Sequence, residues 1–196
     1  SNVVARLEEL GIEVSDEGKL RRLLEVVKEH EYQGYAYDGA EASFELLARR
    51  ALGEVPEYFK LSRFRVMDDR RRNAVGDLVT ESEATVTVHV GERDVMRVAM
   101  GNGPVNALDT ALREALVEGY PSLKDMHLVD YKVRIMPPQA DSTGTDAVTR
   151  VVIESANGAG ERWSTVGVSA NIIDASYVAL RDAYHFKLFR DKYTAE

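Results

Sequence analysis

The sequence predicts an α+β fold: a two-layer domain of two pseudo-repeated β-β-β-α units, preceded by a helical hairpin linker. Two observations support this prediction. Residues 103–115 return as residues 171–183 at a constant offset of 68, and both copies contain the run Ala-Leu-Arg-(Glu/Asp)-Ala. Ahead of each copy, apolar and polar residues alternate, which is typical of antiparallel strands with one buried face.

Residues 1–56 are predicted to be the helical linker subdomain. Ser15 and Asp16 can start a helix, after which apolar residues recur at helical spacing through residues 20–27. Asp38, with Glu41 three residues later, has the pattern of a capping box for a second helix, which should stop at Gly53.

Residues 57–196 are predicted to hold the two β-β-β-α units, at about 57–120 and 121–190. Short strand patterns at residues 64–66, 84–90 and 96–100 precede a helix that opens at Pro104. Strand patterns at 128–136, 148–154 and 163–168 precede a helix capped by Asn171. One three-stranded sheet with one helix buries little apolar surface, so the halves should pack together, and exposed strand edges are candidates for pairing with a second subunit.

Composition excludes several classes of protein. The chain has no cysteine, so it has no disulfide framework and no thiolate, and it has no apolar run long enough to span a membrane. Its net charge of −8 opposes binding to nucleic acid. The basic run Arg70-Arg-Arg72 is expected to be a solvated loop, and a cytoplasmic location is the default expectation.

No catalytic, metal or nucleotide site is predicted. The four histidines lack metal-ligand spacing. The segment Gly167-Val-Ser-Ala-Asn171 lacks the last glycine of a nucleophile elbow, and Gly101-Asn-Gly103 lacks the further residues of a dinucleotide or phosphate loop.

The two strand-to-helix junctions are the candidate binding feature. Helix N-termini favour anions, and the glycines of the first junction, Gly101 and Gly103, would let a ligand approach the backbone closely. The surrounding residues are apolar, so a small molecule with a carboxylate and a branched aliphatic tail would fit. The alternative is that both turns are only well-capped helix starts over a core.

At these residues the sequence resembles the C-terminal regulatory domain shared by 2-isopropylmalate synthases and citramalate synthases. The segments at residues 101–108, 128–134 and 163–176 carry the resemblance. Residues 34–47, Gly-Tyr-Ala-Tyr-Asp-Gly-Ala-Glu-Ala-Ser-Phe-Glu-Leu-Leu, look like the linker of the citramalate branch in particular. The resemblance extends over about residues 20–188.

The resemblance implies a non-catalytic part of an acyltransferase. In this family a catalytic barrel precedes the region, carries a divalent metal and condenses acetyl-CoA with a 2-keto acid; this chain contains no barrel and is expected to need no cofactor. The implied partners are a second copy of the chain and a feedback effector, isoleucine in the citramalate branch or leucine in the isopropylmalate branch. The implied effector residues are Gly101, Asn102, Gly103, Val105, Leu128, Tyr131, Ile135, Val168, Ala170 and Ile172.

Two features of this chain bear on that assignment. Leu128 and Tyr131 have opposite parity along a strand, so both can face one ligand only if the strand contains a bulge or starts late. Ala170 stands where relatives often have proline, so a dimerisation module with a decayed effector site is an open alternative. The polar segment at residues 140–146 is either a flap over the site or an ordinary hairpin connection. The sequence favours one pocket to which both halves contribute.

Overall fold

The computed structural model describes residues 2–137 and 147–192. Three helices come first: α1 (Asn2–Glu9), α2 (Glu17–Gln33) and α3 (Glu41–Ala51). Sheet I follows, with β1 (Lys60–Arg72), β2 (Leu78–Val90) and β3 (Arg93–Gly101), then α4 (Pro104–Val117) and a short 3-10 helix (Pro121–Asp125). Sheet II has β4 (His127–Met136), β5 (Val148–Ala156) and β6 (Arg162–Ser169), and α5 (Ile172–Arg190) ends the fold.

The predicted β-β-β-α repeat is confirmed. Each sheet is antiparallel with its strands in chain order, and each is followed directly by one helix. The two helices of the predicted hairpin are also present, whereas α1 was not predicted. None of the helices in the described ranges is long and apolar enough to cross a bilayer.

The chain forms two compact units, which are described separately. The first contains the chain up to Pro56 together with His127–Phe189, and the second is built on Glu57–Met126. The N-terminal helices, predicted as a linker subdomain, therefore cluster with sheet II and α5.

In the first unit, α5 lies very close to one face of sheet II. The indole Nε1 of Trp163 donates to the Ala183 carbonyl at 3.1 Å, and Thr165 Oγ1 donates to the Ala179 carbonyl at 2.7 Å. A Cβ atom on Gly167 would lie 2.0 Å from the Ala175 carbonyl oxygen. Helix α5 can therefore approach β6 this closely only because residue 167 has no side chain.

The opposite face of sheet II is covered by the N-terminal helices. Val152, Val166 and Val168 pack against a cluster that includes Leu23, Val27 and Phe44. Their strand partners place all three valines on this face, because Val152 pairs with Val166 and Val168 pairs with Arg150. Sheet II consequently has helices on both faces.

The hydroxyl of Ser43 connects three elements of the first unit. It accepts from the Val166 N–H at 2.9 Å and donates to Asp182 Oδ2 at 2.9 Å. The other carboxylate oxygen of Asp182 accepts from Arg50 at 3.0 Å. Through these bonds α3 is attached both to the edge of β6 and to α5.

In the second unit, the core lies between β2 and α4. Ala84, Val86 and Val88 are buried on one face of β2, and Leu108, Leu112 and Leu116 are buried on α4. The Tyr120 hydroxyl donates to the Tyr58 carbonyl, which fixes the chain after α4 against the segment before β1.

Two local predictions were wrong. The N-cap of α3 is Ala40, which makes no side-chain capping bond, and Asp38 lies in the preceding turn with its carboxylate 3.8 Å from Arg6 Nη1. The basic run Arg70-Arg-Arg72 is exposed, but it forms the end of β1 because the strand continues to its hairpin. The predicted helix start at Asp16 is confirmed, since its carboxylate accepts from the N–H groups of Gly18 and Lys19.

The contact at Gly167 gives a first test. We expect Gly167→Ala to lower the free energy of unfolding by about 3 kcal/mol, because the added methyl group collides with the backbone of α5. Gly103→Ala is the control: no atom lies within 4 Å of its Cβ position, so the cost should be below about 1 kcal/mol. Urea denaturation followed by circular dichroism measures both, and similar losses for the two variants would contradict the close approach.

Burial of His185 gives a second test. Burial lowers the pKa of His185 to about 4, so the unfolded chain binds a proton there at a higher pH than the folded chain. The contribution of neutral His185 to the free energy of unfolding is fully present above about pH 6.5 and is lost as the pH falls toward about 4. Roughly 2 kcal/mol of the unfolding free energy is lost by about pH 5.

His185→Gln should flatten the decline of the unfolding free energy between pH 6.5 and 5. Urea titrations at several pH values measure this decline. An unchanged slope in the variant would show that other groups cause it.

Candidate functional site

The ten predicted effector residues divide between the two units. Gly101, Asn102, Gly103 and Val105 lie in the second unit, and the other six lie in the first. The structure therefore gives the geometry of each half, and a single pocket built from both stays a prediction.

The first junction leads from β3 into α4. Gly103 is the N-cap in an extended conformation, with φ −169°, and it offers no side-chain capping bond. Pro104 occupies the first turn, and the Asn106 side chain folds back to accept from the Asn102 N–H at 3.1 Å. The start of α4 thus lacks a side-chain N-cap. A helix terminus that binds an anion needs its first N–H groups uncapped in this way.

Packing within the chain explains why residue 101 is a glycine. A Cβ atom there would lie 2.4 Å from the Ala107 nitrogen and 2.6 Å from Asn106 Oδ1. The sequence-based interpretation was that glycine lets a ligand approach the backbone. The structure instead requires glycine at residue 101 for the packing of the first turn of α4.

The second junction, from β6 into α5, is capped by its own side chains. Asn171 Oδ1 accepts from the N–H groups of Ile173 at 2.8 Å and Asp174 at 3.2 Å, as its predicted capping role requires. Ser169 Oγ accepts from the Asn171 N–H at 3.1 Å. Two backbone N–H groups in the first turn of α5 are thereby occupied. This helix start therefore has fewer N–H groups available to an anion than the start of α4.

Of the two predicted alternatives, a bulge or a late strand start, β4 contains the bulge. The register shifts between Leu128 and Asp130, so that Leu128 pairs with Ser155 and Tyr131 pairs with Ile153. Residues 153 and 155 point to the same face of β5, and the shift therefore brings Leu128 and Tyr131 onto one face. Ile135 shares this face and is 72% exposed.

Tyr131 connects that face to the first turn of α5. Its hydroxyl lies 2.9 Å from Ser176 Oγ, which donates to the Ile172 carbonyl at 2.7 Å. Ile172 itself is 43% exposed, and Ala170 is exposed in the turn before it. The wall of β4 and the start of α5 thus form one continuous surface in the first unit.

Val168 does not belong to this surface. Its pairing with Arg150 places it on the opposite face of sheet II, where its Cγ1 lies 3.4 Å from the position of a Cβ atom on Gly34. The structure therefore groups Val168 with the turn between α2 and α3.

Side chains around that turn form a connected group that the sequence-based prediction missed. Arg150 Nε donates to the Gly34 carbonyl at 2.7 Å, and burial lowers the pKa of this guanidinium. His30 Nδ1 lies 2.7 Å from the Tyr37 hydroxyl, and the His30 ring stacks on Tyr35 at 4.8 Å. Burial also lowers the pKa of His30 and raises that of Tyr37. The clustering of tyrosines at residues 32–37 was the available signal.

Two open surface cavities lie elsewhere. One, of about 420 Å³, is lined by residues of α1, the following loop and the start of α2; the other, of about 550 Å³, lies in the second unit beside Arg97, Arg113 and Lys124. Neither includes a predicted effector residue. In residues 2–137 and 147–192, no group of three or more acidic or histidine side chains could hold a metal ion. The segment at 140–146, predicted to be either a flap or an ordinary hairpin connection, lies outside the described residues.

Comparisons with known proteins agree on one family. The family described as the LeuA allosteric (dimerisation) domain matches residues 38–188. The chain is 46% identical over 193 residues to the (R)-citramalate synthase of Aquifex aeolicus (strain VF5), a match that covers 98% of this chain and 35% of that protein. It is 47% identical, with the same coverage, to the (R)-citramalate synthase of Geobacter sulfurreducens.

A more distant relative belongs to the other branch. The 2-isopropylmalate synthase of Salmonella arizonae is 29% identical over 175 residues, which cover 89% of this chain and 29% of that protein. The chain thus spans about a third of the length of the curated relatives it matches.

Proposed function

Since this chain belongs to the LeuA allosteric (dimerisation) domain family, we propose that it is the regulatory and dimerisation domain of a citramalate synthase. The supporting observation is the match at 46–47% identity, over 98% of the chain, to proteins named (R)-citramalate synthase. The parent polypeptide would be an acyltransferase that condenses acetyl-CoA with pyruvate. This region would be non-catalytic, and any divalent metal would belong to the catalytic part.

The proposed effector is isoleucine, and nine of the ten predicted residues, all except Val168, are retained as its proposed contacts. The start of α4 lacks a side-chain N-cap, and backbone N–H groups at such a position suit a carboxylate. The surface formed by Leu128, Tyr131, Ile135 and Ile172 offers exposed aliphatic groups that suit a branched side chain. Val168 lies on the other face of sheet II and would act only indirectly.

Two alternatives rest on specific observations. Leucine would be the effector if the parent were a 2-isopropylmalate synthase, a class to which the chain is also related, at lower identity. A dimerisation module without a working effector site is favoured by Ala170 and by the capping of α5 by its own Asn171.

Calorimetric titration of this chain with isoleucine, leucine and valine tests the effector proposal. We expect saturable heat from isoleucine and weaker binding of the other two. Ile135→Ala should weaken isoleucine binding by about tenfold, because it removes aliphatic contact area. Val168→Ala is the matched control and should change affinity by less than about threefold, since Val168 lies on the opposite face.

Each outcome identifies a different candidate. Heat from leucine alone would favour the isopropylmalate branch. No heat from any of the three at millimolar concentration, with a folded and dimeric chain, would favour the dimerisation module.

We also propose that the turn between α2 and α3 transmits effector binding to the catalytic part. In the first unit Gly34 of this turn packs against Val168 of β6, the strand that leads into α5. Arg150 of β5 donates a hydrogen bond to the Gly34 carbonyl. Movement of the β6–α5 junction would therefore reach α2 through direct contacts.

A flexible insertion in the parent enzyme tests this route. We expect Gly-Gly-Ser inserted after Gly34 to leave the isoleucine affinity nearly unchanged while inhibition of condensation becomes at least several-fold weaker, because the contact between sheet II and α2 is loosened. The same insertion at Gly160, in the β5–β6 hairpin loop, is the control. Unchanged inhibition after the Gly34 insertion would contradict the proposed route.

A further inference from the structure

The outer face of sheet I carries an exposed apolar patch. Strand pairing places Thr87 beside Met96, Thr85 beside Val98 and Glu83 beside Met100, so that these side chains share one face. Met67 joins them from β1 as the partner of Glu83. The four large apolar members, Met67, Met96, Val98 and Met100, are 50% to 59% exposed.

The equivalent face of sheet II is covered. At the repeat offset of 68, Val98 corresponds to Val166 and Met100 to Val168. Val166 is fully buried beneath α1, α2 and α3, whereas Val98 is 51% exposed. Within the described part of the chain, the outer face of sheet I has no such helical layer. The repeat thus has two equivalent apolar faces, of which the chain itself covers one.

On the outer face of sheet I, Arg71 pairs with Glu81 and His89 pairs with Asp94. Four further charges on this face are arranged so that it is complementary to itself. Arg63 and Arg65 lie toward one end, beside Thr87 and Thr85, and Asp69 and Glu83 lie toward the other end. Among the described residues, none of these four side chains forms a salt bridge. An interface between two identical copies requires self-complementarity, because each copy presents the same patch.

We propose that the outer face of sheet I packs against the same face of a second copy of this chain. A two-fold axis that crosses the strands sets the apolar centres against each other and brings the basic end of each copy over the acidic end of its partner. This inference rests on the proposed dimerisation function and assigns a surface to it.

The size of the face is sufficient for such a contact. Three strands are about 14 Å wide, and a strand of 13 residues is about 40 Å long, so the projected area is of the order of 600 Å² per copy. Two copies then bury about 1,200 Å², the lower bound of specific protein interfaces. Methionine is also enriched at the centres of such interfaces.

The absence of cysteine from the chain makes a direct test possible. Val98→Cys introduces a single thiol at the centre of the face, and Val75→Cys introduces one in the β1–β2 hairpin turn, at a position that is 80% exposed. We expect a maleimide to label position 98 at least tenfold more slowly above the dimer dissociation midpoint than below it. Labelling at position 75 should not depend on protein concentration.

A charge substitution gives a second, independent measurement. Val98→Glu should raise the dimer dissociation constant, measured by analytical ultracentrifugation, at least a hundredfold while the far-ultraviolet circular dichroism stays unchanged. Val75→Glu is the matched control and should leave the constant unchanged, because it adds the same charge outside the face.

The outcomes separate this inference from the proposed function. A dimeric wild-type chain whose thiol at position 98 is labelled rapidly at every concentration would overturn the surface and leave dimerisation standing. A wild-type chain that stays monomeric at about 100 μM, where a dimer with a dissociation constant of about 1 μM would be almost fully associated, would overturn both. Slow labelling at position 98 that persists in the monomer would show that the chain itself covers the face. Slow labelling that appears only in the longer parent polypeptide would show that another part of the parent covers it. Either result would overturn the proposed surface.

Discussion

The first unit depends on the close approach of α5 to β6. Trp163, Thr165 and Gly167 alternate along the strand, and they meet the carbonyls of Ala183, Ala179 and Ala175, which are spaced four apart along the helix. Two strand residues advance about 6.7 Å and four helix residues about 6 Å, so the contacts stay nearly in step over three repeats. Both donors are buried side chains, and the third position has no side chain at all. The position of α5, and with it the start of that helix, is therefore fixed by backbone contact as well as by apolar packing.

The other face of sheet II is coupled to the same strand. Ser43 bonds to β6 and to α5, and Arg150 holds the turn after α2 by its Gly34 carbonyl. A strand held on one face by α5 and on the other by the N-terminal helices cannot shift without disturbing both layers, because packed interiors resist deformation. That arrangement supports a regulatory role in which a ligand at one helix start influences a segment on the opposite face of the sheet.

Periodicity and internal repetition predicted most of the fold, because each β-β-β-α unit has a strong period-two pattern followed by a helical one. Local capping was harder to predict. Asp38 has the right spacing from Glu41, yet the helix begins later with Ala40 as its N-cap, since a spacing pattern does not fix where the preceding turn ends. The bulge in β4 could be predicted only from the requirement that Leu128 and Tyr131 share a face. The placement of Val168 could not be predicted, because the sequence does not show that both faces of sheet II are covered.

The two copies of the repeat have diverged at equivalent positions. Asn171 caps α5, whereas glycine occupies the corresponding position at the start of α4 and leaves that terminus without a side-chain N-cap. Gly167 admits a helix at close range, while the equivalent residue in sheet I is Ala99, which carries a methyl group. The outer face of sheet II is buried within the chain, and that of sheet I is exposed. In helix capping and in the outer sheet face, the second copy satisfies its own groups and the first leaves them available. We therefore expect the first copy to supply the anion-binding helix start and the surface for a partner, while the second supplies the aliphatic surface at Ile135 and Ile172.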